Sequence, residues 1–255
     1  VRKVAVLLVL VIILVALIGL NRVAANWHYV LRAEPGSVLY TATFDAFLDD
    51  WEQYEGRLEA QVINGALRIE SESSNSGPYS VAKPYFDDFD LRVQGKALDG
   101  DPTNGYGVIF RLQDKGNRSV ADDSYYLFLV SSDGYYKLER VIDGQQKEIS
   151  LWIPSPVVNQ GLDAVNALRV IAEGNQFQFF VNDQQVELCL PENSDGFSTL
   201  DGAGNCMGNM TATWTDDTIT SGQVGVVVVT LDAPNFAVEF DNMLIVGPQR
   251  ISSES

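Results

Sequence analysis

An all-β sandwich or barrel behind a single membrane-spanning helix is the architecture this sequence predicts. Three observations lead there. Val4–Leu20, "VAVLLVLVIILVALIGL", is 17 residues without a charged or strongly polar side chain. From Val38 onward the chain breaks into short β-rich runs separated by Gly, Asn, Asp and Pro, with no sustained 3.6-residue period. Four of the breaks, Asn64-Gly65, Asp133-Gly134, Asp143-Gly144 and Gly174-Asn175, carry the residue types of tight hairpin turns.

The apolar run comes first. At 1.5 Å per residue it extends about 25 Å, slightly less than the roughly 30 Å hydrocarbon core of a bilayer. Trp27 and Tyr29 follow where interfacial aromatic rings are expected. A cleaved signal peptide is the competing reading, with Arg2-Lys3 as its basic flank and Val23-Ala24-Ala25 as the cleavage site. The run exceeds the usual signal-peptide core of about 7–15 residues, which favours a retained anchor over residues 1–21. The basic pair would stay cytoplasmic. A juxtamembrane connector over 22–37 then leads to a domain on the outer side.

That domain is expected over residues 38–248. Strands are predicted at 38–45, 57–63, 66–72, 79–84, 88–97, 105–112, 124–131, 135–142, 147–152, 166–173, 176–182, 223–230 and 236–246. So many short strands with tight turns argue for a sandwich or barrel, and one all-β unit of this size is ordinary. Residues 190–221 break the rhythm. They are polar and Gly-rich, and read as a long inserted loop. Cys189 and Cys206, the only cysteines, flank much of it. On the oxidising side of a membrane they are expected to pair, stabilising the domain by roughly 3 kcal/mol. Residues 249–255 are read as a tail.

Composition excludes several functions. Four of the 17 basic side chains lie in the first 33 residues, which hold no acid. The rest of the chain therefore carries 13 basic against 34 acidic side chains, a formal charge of −21. Such a surface repels nucleic acid. His28 is the only histidine, so neither a Cys/His zinc set nor a Ser-His-Asp triad can be built. Calcium is the one metal worth considering. Asp45, Asp241 and Asn242 offer hard oxygen ligands, with Asx side chains capping a β-bulge as the simpler alternative.

The ordered pieces "FDAFLDDWEQYEG", "VINGALRIES", "FDDFDLRVQGKAL", "GYGVIFRLQD", "DSYYLFLVSSDGYYKLERV", "NALRVIAEGNQFQFFVNDQQV" and "GQVGVVVV…FAVEFDNMLIV" resemble the concanavalin A-like, or laminin G-like, jelly rolls. Within that class they are most similar to bacterial 3-keto-disaccharide hydrolase domains, related to family 16 glycoside hydrolases. The resemblance implies two packed antiparallel sheets, one of them curved into a groove where glycans often lie. It also implies a bacterial cell membrane as the site of the anchor. Classical family 16 glucanases place two glutamates in a Glu-x-Asp-x-x-Glu strand. Here Glu239-Phe240-Asp241 echoes the start, but Leu244 stands where the second glutamate belongs.

Period-two alternation then nominates side chains for such a groove. Tyr135, Lys137 and Glu139 share one face of their strand, and Arg111 lies opposite Phe110 on its own. Arg111, Lys137 and Glu139 would form a polar cluster, with Tyr125 and Trp152 as stacking surfaces for a sugar ring. The alternative is a solvated sheet face carrying cross-strand ion pairs. The sequence thus predicts a single-pass membrane protein with a periplasmic or extracellular β-sandwich that works by binding, as a non-catalytic accessory subunit of a larger membrane complex. A cell-surface glycan-binding module and a keto-disaccharide-type glycoside hydrolase are the alternatives. No cofactor is expected beyond a possible structural calcium ion.

Overall fold

The computed structural model describes residues 12–17, 28–46, 48–115, 122–192 and 198–249. Its strands follow the predicted turn chemistry closely. Asn64 and Gly65 take φ of 54° and 83°, and Asp143 and Gly144 take 47° and 73°. Positive φ at both central residues is the type I′ geometry that matches the twist of a hairpin. Asn182 and Asp183, at 50° and 63°, make a further turn of this kind.

In chain order the strands are β1 (Val30–Leu31), β2 (Val38–Ala42), β3 (Leu58–Ile63), β4 (Ala66–Ser71), β5 (Tyr79–Phe86), β6 (Phe89–Asp99), β7 (Gly105–Gln113), β8 (Ser124–Ser131) and β9 (Tyr135–Ile142). There follow β10 (Gln145–Pro154), β11 (Val165–Glu173), β12 (Gln176–Val181), β13 (Gln184–Val186), β14 (Leu188–Leu190), β15 (Asn209–Thr211), β16 (Trp214–Thr215), β17 (Gly222–Val229) and β18 (Phe236–Val246). One sheet has the order β1-β5-β17-β7-β8-β9-β10. The second has the order β13-β12-β11-β6-β18-β4-β3, with β2 added to β18 and β16 to β12. Apart from the parallel pair β1·β5, the neighbours in both sheets are antiparallel.

The sheets pack face to face on one apolar core. Phe110, Tyr126, Phe128, Phe177 and Phe179 interlock there, with ring centres 4.9–6.3 Å apart. Burial of such aromatic surfaces dominates the energetics of a sandwich.

Three features differ from the sequence reading. Strict alternation puts Arg111 on the face opposite Phe110. Instead the β7–β8 register shifts between Phe110 and Gln113, and Arg111 takes φ of 52°. This bulge changes the parity of the strand and turns the side chain into the sandwich. There Arg111 is buried and donates hydrogen bonds to the carbonyls of Ile219 (2.7 Å), Asp87 (3.0 Å) and Gly174 (2.6 Å).

The segment expected as a plain connector adds a strand to the domain. In β1, Val30 and Leu31 pair with Tyr85 and Phe86, and His28 stacks on the Tyr85 ring at 4.0 Å. Arg32 forms an ion pair with Asp87 at 2.5 Å.

The insertion is likewise not a simple loop. It contributes β15, which pairs with β14, and β16, which pairs with β12, and Cys189 and Cys206 are disulfide-bonded across it. Residues 12–17 are helical with exposed side chains. Most of the predicted 1–21 anchor lies outside the described residues, as does most of the 249–255 tail. Among the described residues no helix is long and apolar enough to cross a membrane.

Candidate ligand groove

The seven-stranded sheet buries one face in the core and carries a second apolar layer on the other. Antiparallel register assembles that outer layer in rows. Tyr79 pairs with Val227, Val227 with Gly107, Gly107 with Leu129, and Leu129 with Lys137. In the next row Val81, Gly225, Ile109, Leu127, Glu139 and Glu148 follow one another across β5, β17, β7, β8, β9 and β10. Side chains in such rows share a face because the pleat has period two. Val81, Ile109, Leu112, Leu127, Leu129 and Val227 form a buried cluster there, with Tyr79, Tyr125, Trp152 and Val229 packed against it.

A groove of about 390 Å³ opens over this layer, within the usual range of roughly 300–1,000 Å³ for ligand pockets. Tyr125, Lys137, Glu139 and Trp152 all line it. Lys137 and Glu139 are only 4% and 3% exposed, and they form a direct ion pair. The same ammonium reaches Glu148 at 3.2 Å and lies 5.0 Å from the centre of the Trp152 ring. Gly105 makes room for that ring: a Cβ there would meet Trp152 Cη2 at 3.2 Å.

The Tyr79 ring of the apolar layer lies 6.5 Å from that of Tyr125, and the Tyr79 hydroxyl donates to Asp123 at 3.4 Å. Burial pushes both phenols up, Tyr125 further so by Glu139 and Tyr79 by Asp123. Both therefore remain neutral hydroxyls, able to donate and accept hydrogen bonds.

Four of the five predicted groove residues are thus brought together, and Arg111 is not among them. It faces Phe177 inside the sandwich, 4.7 Å from the ring centre. Leu127, Glu148 and Val229 also line the groove, Tyr79 and Leu129 belong to the apolar layer of the same face, and none of them was singled out from the sequence. Their cross-strand partners identify them only once the register is known.

Two of the three candidate calcium ligands, Asp241 and Asn242, sit at a β-bulge. Asn242 has φ of 54° where the β18–β6 register shifts, and its side-chain amide donates to Asp241 at 3.0 Å and Gln94 at 3.2 Å. Asp45 lies beside Gly65, at 3.8 Å from the position of a Cβ there. Among the described residues no group of three or more His, Cys, Asp or Glu side chains is placed to hold a metal. Glu239, the echo of the glucanase motif, forms an ion pair with Lys96 at 3.0 Å on the other sheet.

Two packed antiparallel sheets, one bearing a lined groove on its outer face, define a concanavalin A-like jelly-roll domain. Within that class the chain belongs to the family of 3-keto-alpha-glucoside-1,2-lyase-like domains, whose profile matches residues 40–199. Solved structures agree on the fold. The carbohydrate-binding module CBM66 from Bacillus subtilis is 17% identical, with a TM-score of 0.51 over 76% of this chain and 93% of that one. A Bacillus subtilis protein of unknown function with a galectin-like fold is 11% identical, with a TM-score of 0.58 over 85% and 99%. The catalytic domain of an endo-1,3-beta-glucanase (laminarinase) from Thermotoga petrophila RKU-1 is 8% identical, with a TM-score of 0.52 over 86% and 100%. No curated protein matches the chain.

Proposed function

We propose that this chain is a non-catalytic carbohydrate-binding protein, with its sandwich held outside a bacterial cell membrane by the Val4–Leu20 segment. The observation that carries the reading is the groove itself. Aromatic rings at Tyr125 and Trp152 line it above an apolar floor, and a buried Lys137–Glu139 pair supplies oriented polar groups. Sugar rings need both kinds of surface, an apolar face to stack on and partners for their hydroxyls. The jelly-roll fold shared with a carbohydrate-binding module supports the same use.

Hydrolysis is the less favoured reading. The usual mechanism needs two carboxyl groups on opposite sides of the anomeric carbon. Glu139 and Glu148 are cross-strand partners that share the Lys137 ammonium, so both carboxylates are engaged in ion pairs instead of being presented to a sugar as acid and nucleophile. A role as accessory subunit of a larger membrane complex is compatible with glycan binding, and β1 favours it. Docking of Val30–Leu31 on β5 ties the chain that follows the apolar run to the sandwich from Val30 onward.

The test is a screen of β-glucans and keto-disaccharides with the full-length protein in mild detergent, beside Glu139→Gln. Retention on a glycan without product formation is expected. Turnover by the parent that disappears in Glu139→Gln overturns the non-catalytic reading.

A further inference from the structure

Given the glycan-binding reading of the groove, on which this rests, we infer that its ligand is a glycan chain free of acidic groups. The chain crosses Trp152 into a second pocket beyond it. That pocket, of about 210 Å³, is lined by Thr103, Ser131, Asp133, Tyr135, Trp152 and Leu231. Trp152 and Leu231 also line the groove, so the two hollows adjoin along that pair.

One strand carries both. Tyr135 of β9 lines the second pocket, and Lys137, Glu139 and Val141, at alternate positions after it, line the groove. At about 3.3 Å per residue that stretch of β9 is about 20 Å long, more than a single sugar ring needs. The Trp152 indole stands at the join. From the edge strand β10 its ring reaches Lys137 Nζ on β9, 5.0 Å from the ring centre, and Gly105 on β7, where a Cβ would meet it at 3.2 Å. A chain resting on that indole has a pocket for its rings on either side.

The polar groups of the second pocket suit sugar hydroxyls. Ser131, only 2% exposed, donates its hydroxyl proton to Asp133, and Thr103 donates its own to Asp101. What remains open is mainly acceptor capacity, on the Asp133 carboxylate and the two hydroxyl oxygens, with the Tyr135 hydroxyl beside them. Charge then narrows the ligand. Across both pockets the lining sets Asp133, Glu139 and Glu148 against Lys137, whose ammonium Glu139 and Glu148 already share. A lining of net negative charge accepts hydroxyl donors and repels a carboxylate or sulfate on a sugar.

The test is a calorimetric titration of the full-length protein in a detergent without a sugar headgroup. The ligands are glucose, cello- and laminari-oligosaccharides of increasing length, and oligogalacturonates. Affinity within one neutral series should rise by about tenfold or more from glucose to chains long enough to cross Trp152. Oligogalacturonates of the same length should bind far more weakly. Asp133→Ala should abolish the gain with length, and Thr103→Val, at an exposed position, gives the same readout should that variant not fold. Equal affinity for glucose and longer chains, a gain undiminished in the variant, or oligogalacturonates binding as tightly as neutral chains overturns the proposal and leaves the groove a sugar site. Binding of none of these ligands overturns the glycan-binding reading as well.

Discussion

The Lys137 ammonium lies 5.0 Å from the centre of the Trp152 ring and is ion-paired to Glu139 beneath the groove. One cation thus orients the aromatic wall and neutralises a buried carboxylate. Lys137→Met should leave Glu139 buried without its partner and destabilise the fold by about 3–5 kcal/mol at neutral pH. Lys137→Met with Glu139→Gln should recover much of that loss. Denaturant unfolding of the three proteins checks this, and a double variant no more stable than the single one contradicts it.

Arg111 clasps one end of the sandwich through the carbonyls of Asp87, Gly174 and Ile219. Arg111→Leu strands all three acceptors and is expected to cost about 3 kcal/mol or more. It should leave groove ligands bound with unchanged affinity in the protein that remains folded. Thermal unfolding paired with a binding measurement separates the two effects. A stable Arg111→Leu protein that has lost its ligand would return this residue to the groove.

Asp90 predicts a pH dependence. Burial pushes its carboxyl up, but hydrogen bonds from Arg169 and Arg92 outweigh that and hold it below the usual carboxylate range. A carboxyl depressed in the folded state stabilises above its unfolded value, about 3.9, and loses that contribution as pH falls through the lower folded value. Asp90→Asn should therefore be less stable than the parent at neutral pH, by about 1–3 kcal/mol given the partial exposure of both arginines. The difference should shrink below about pH 4. Unfolding curves between neutral and strongly acidic pH provide the check.

Much of this arrangement is legible from alternation alone. Lys137 and Glu139 are two residues apart on a strand of regular pleat, so their shared face follows from the sequence. Tyr125 and Trp152 join them because β8, β9 and β10 are consecutive antiparallel neighbours. Arg111 escapes the same logic because one bulged residue reverses the parity of everything beside it, and "VIFRLQD" contains no glycine to mark the place. Val30–Leu31 escapes because two residues carry no period. Tyr79 and Val229 are brought to the same sheet face by β5 and β17, which lie far apart in sequence.

The central claim, that the outer face of the seven-stranded sheet binds glycans, is tested most directly by affinity electrophoresis through gels containing soluble polysaccharides. The parent should be retarded by at least one of them. Trp152→Ala and Tyr125→Ala should migrate nearly as in polysaccharide-free gel, a loss of affinity of about tenfold or more for an aromatic contact at the centre of a site. Their unfolding temperatures should stay close to the parent's, since both rings are only half-buried. Equal retardation of the parent and both variants would contradict the assignment of the groove.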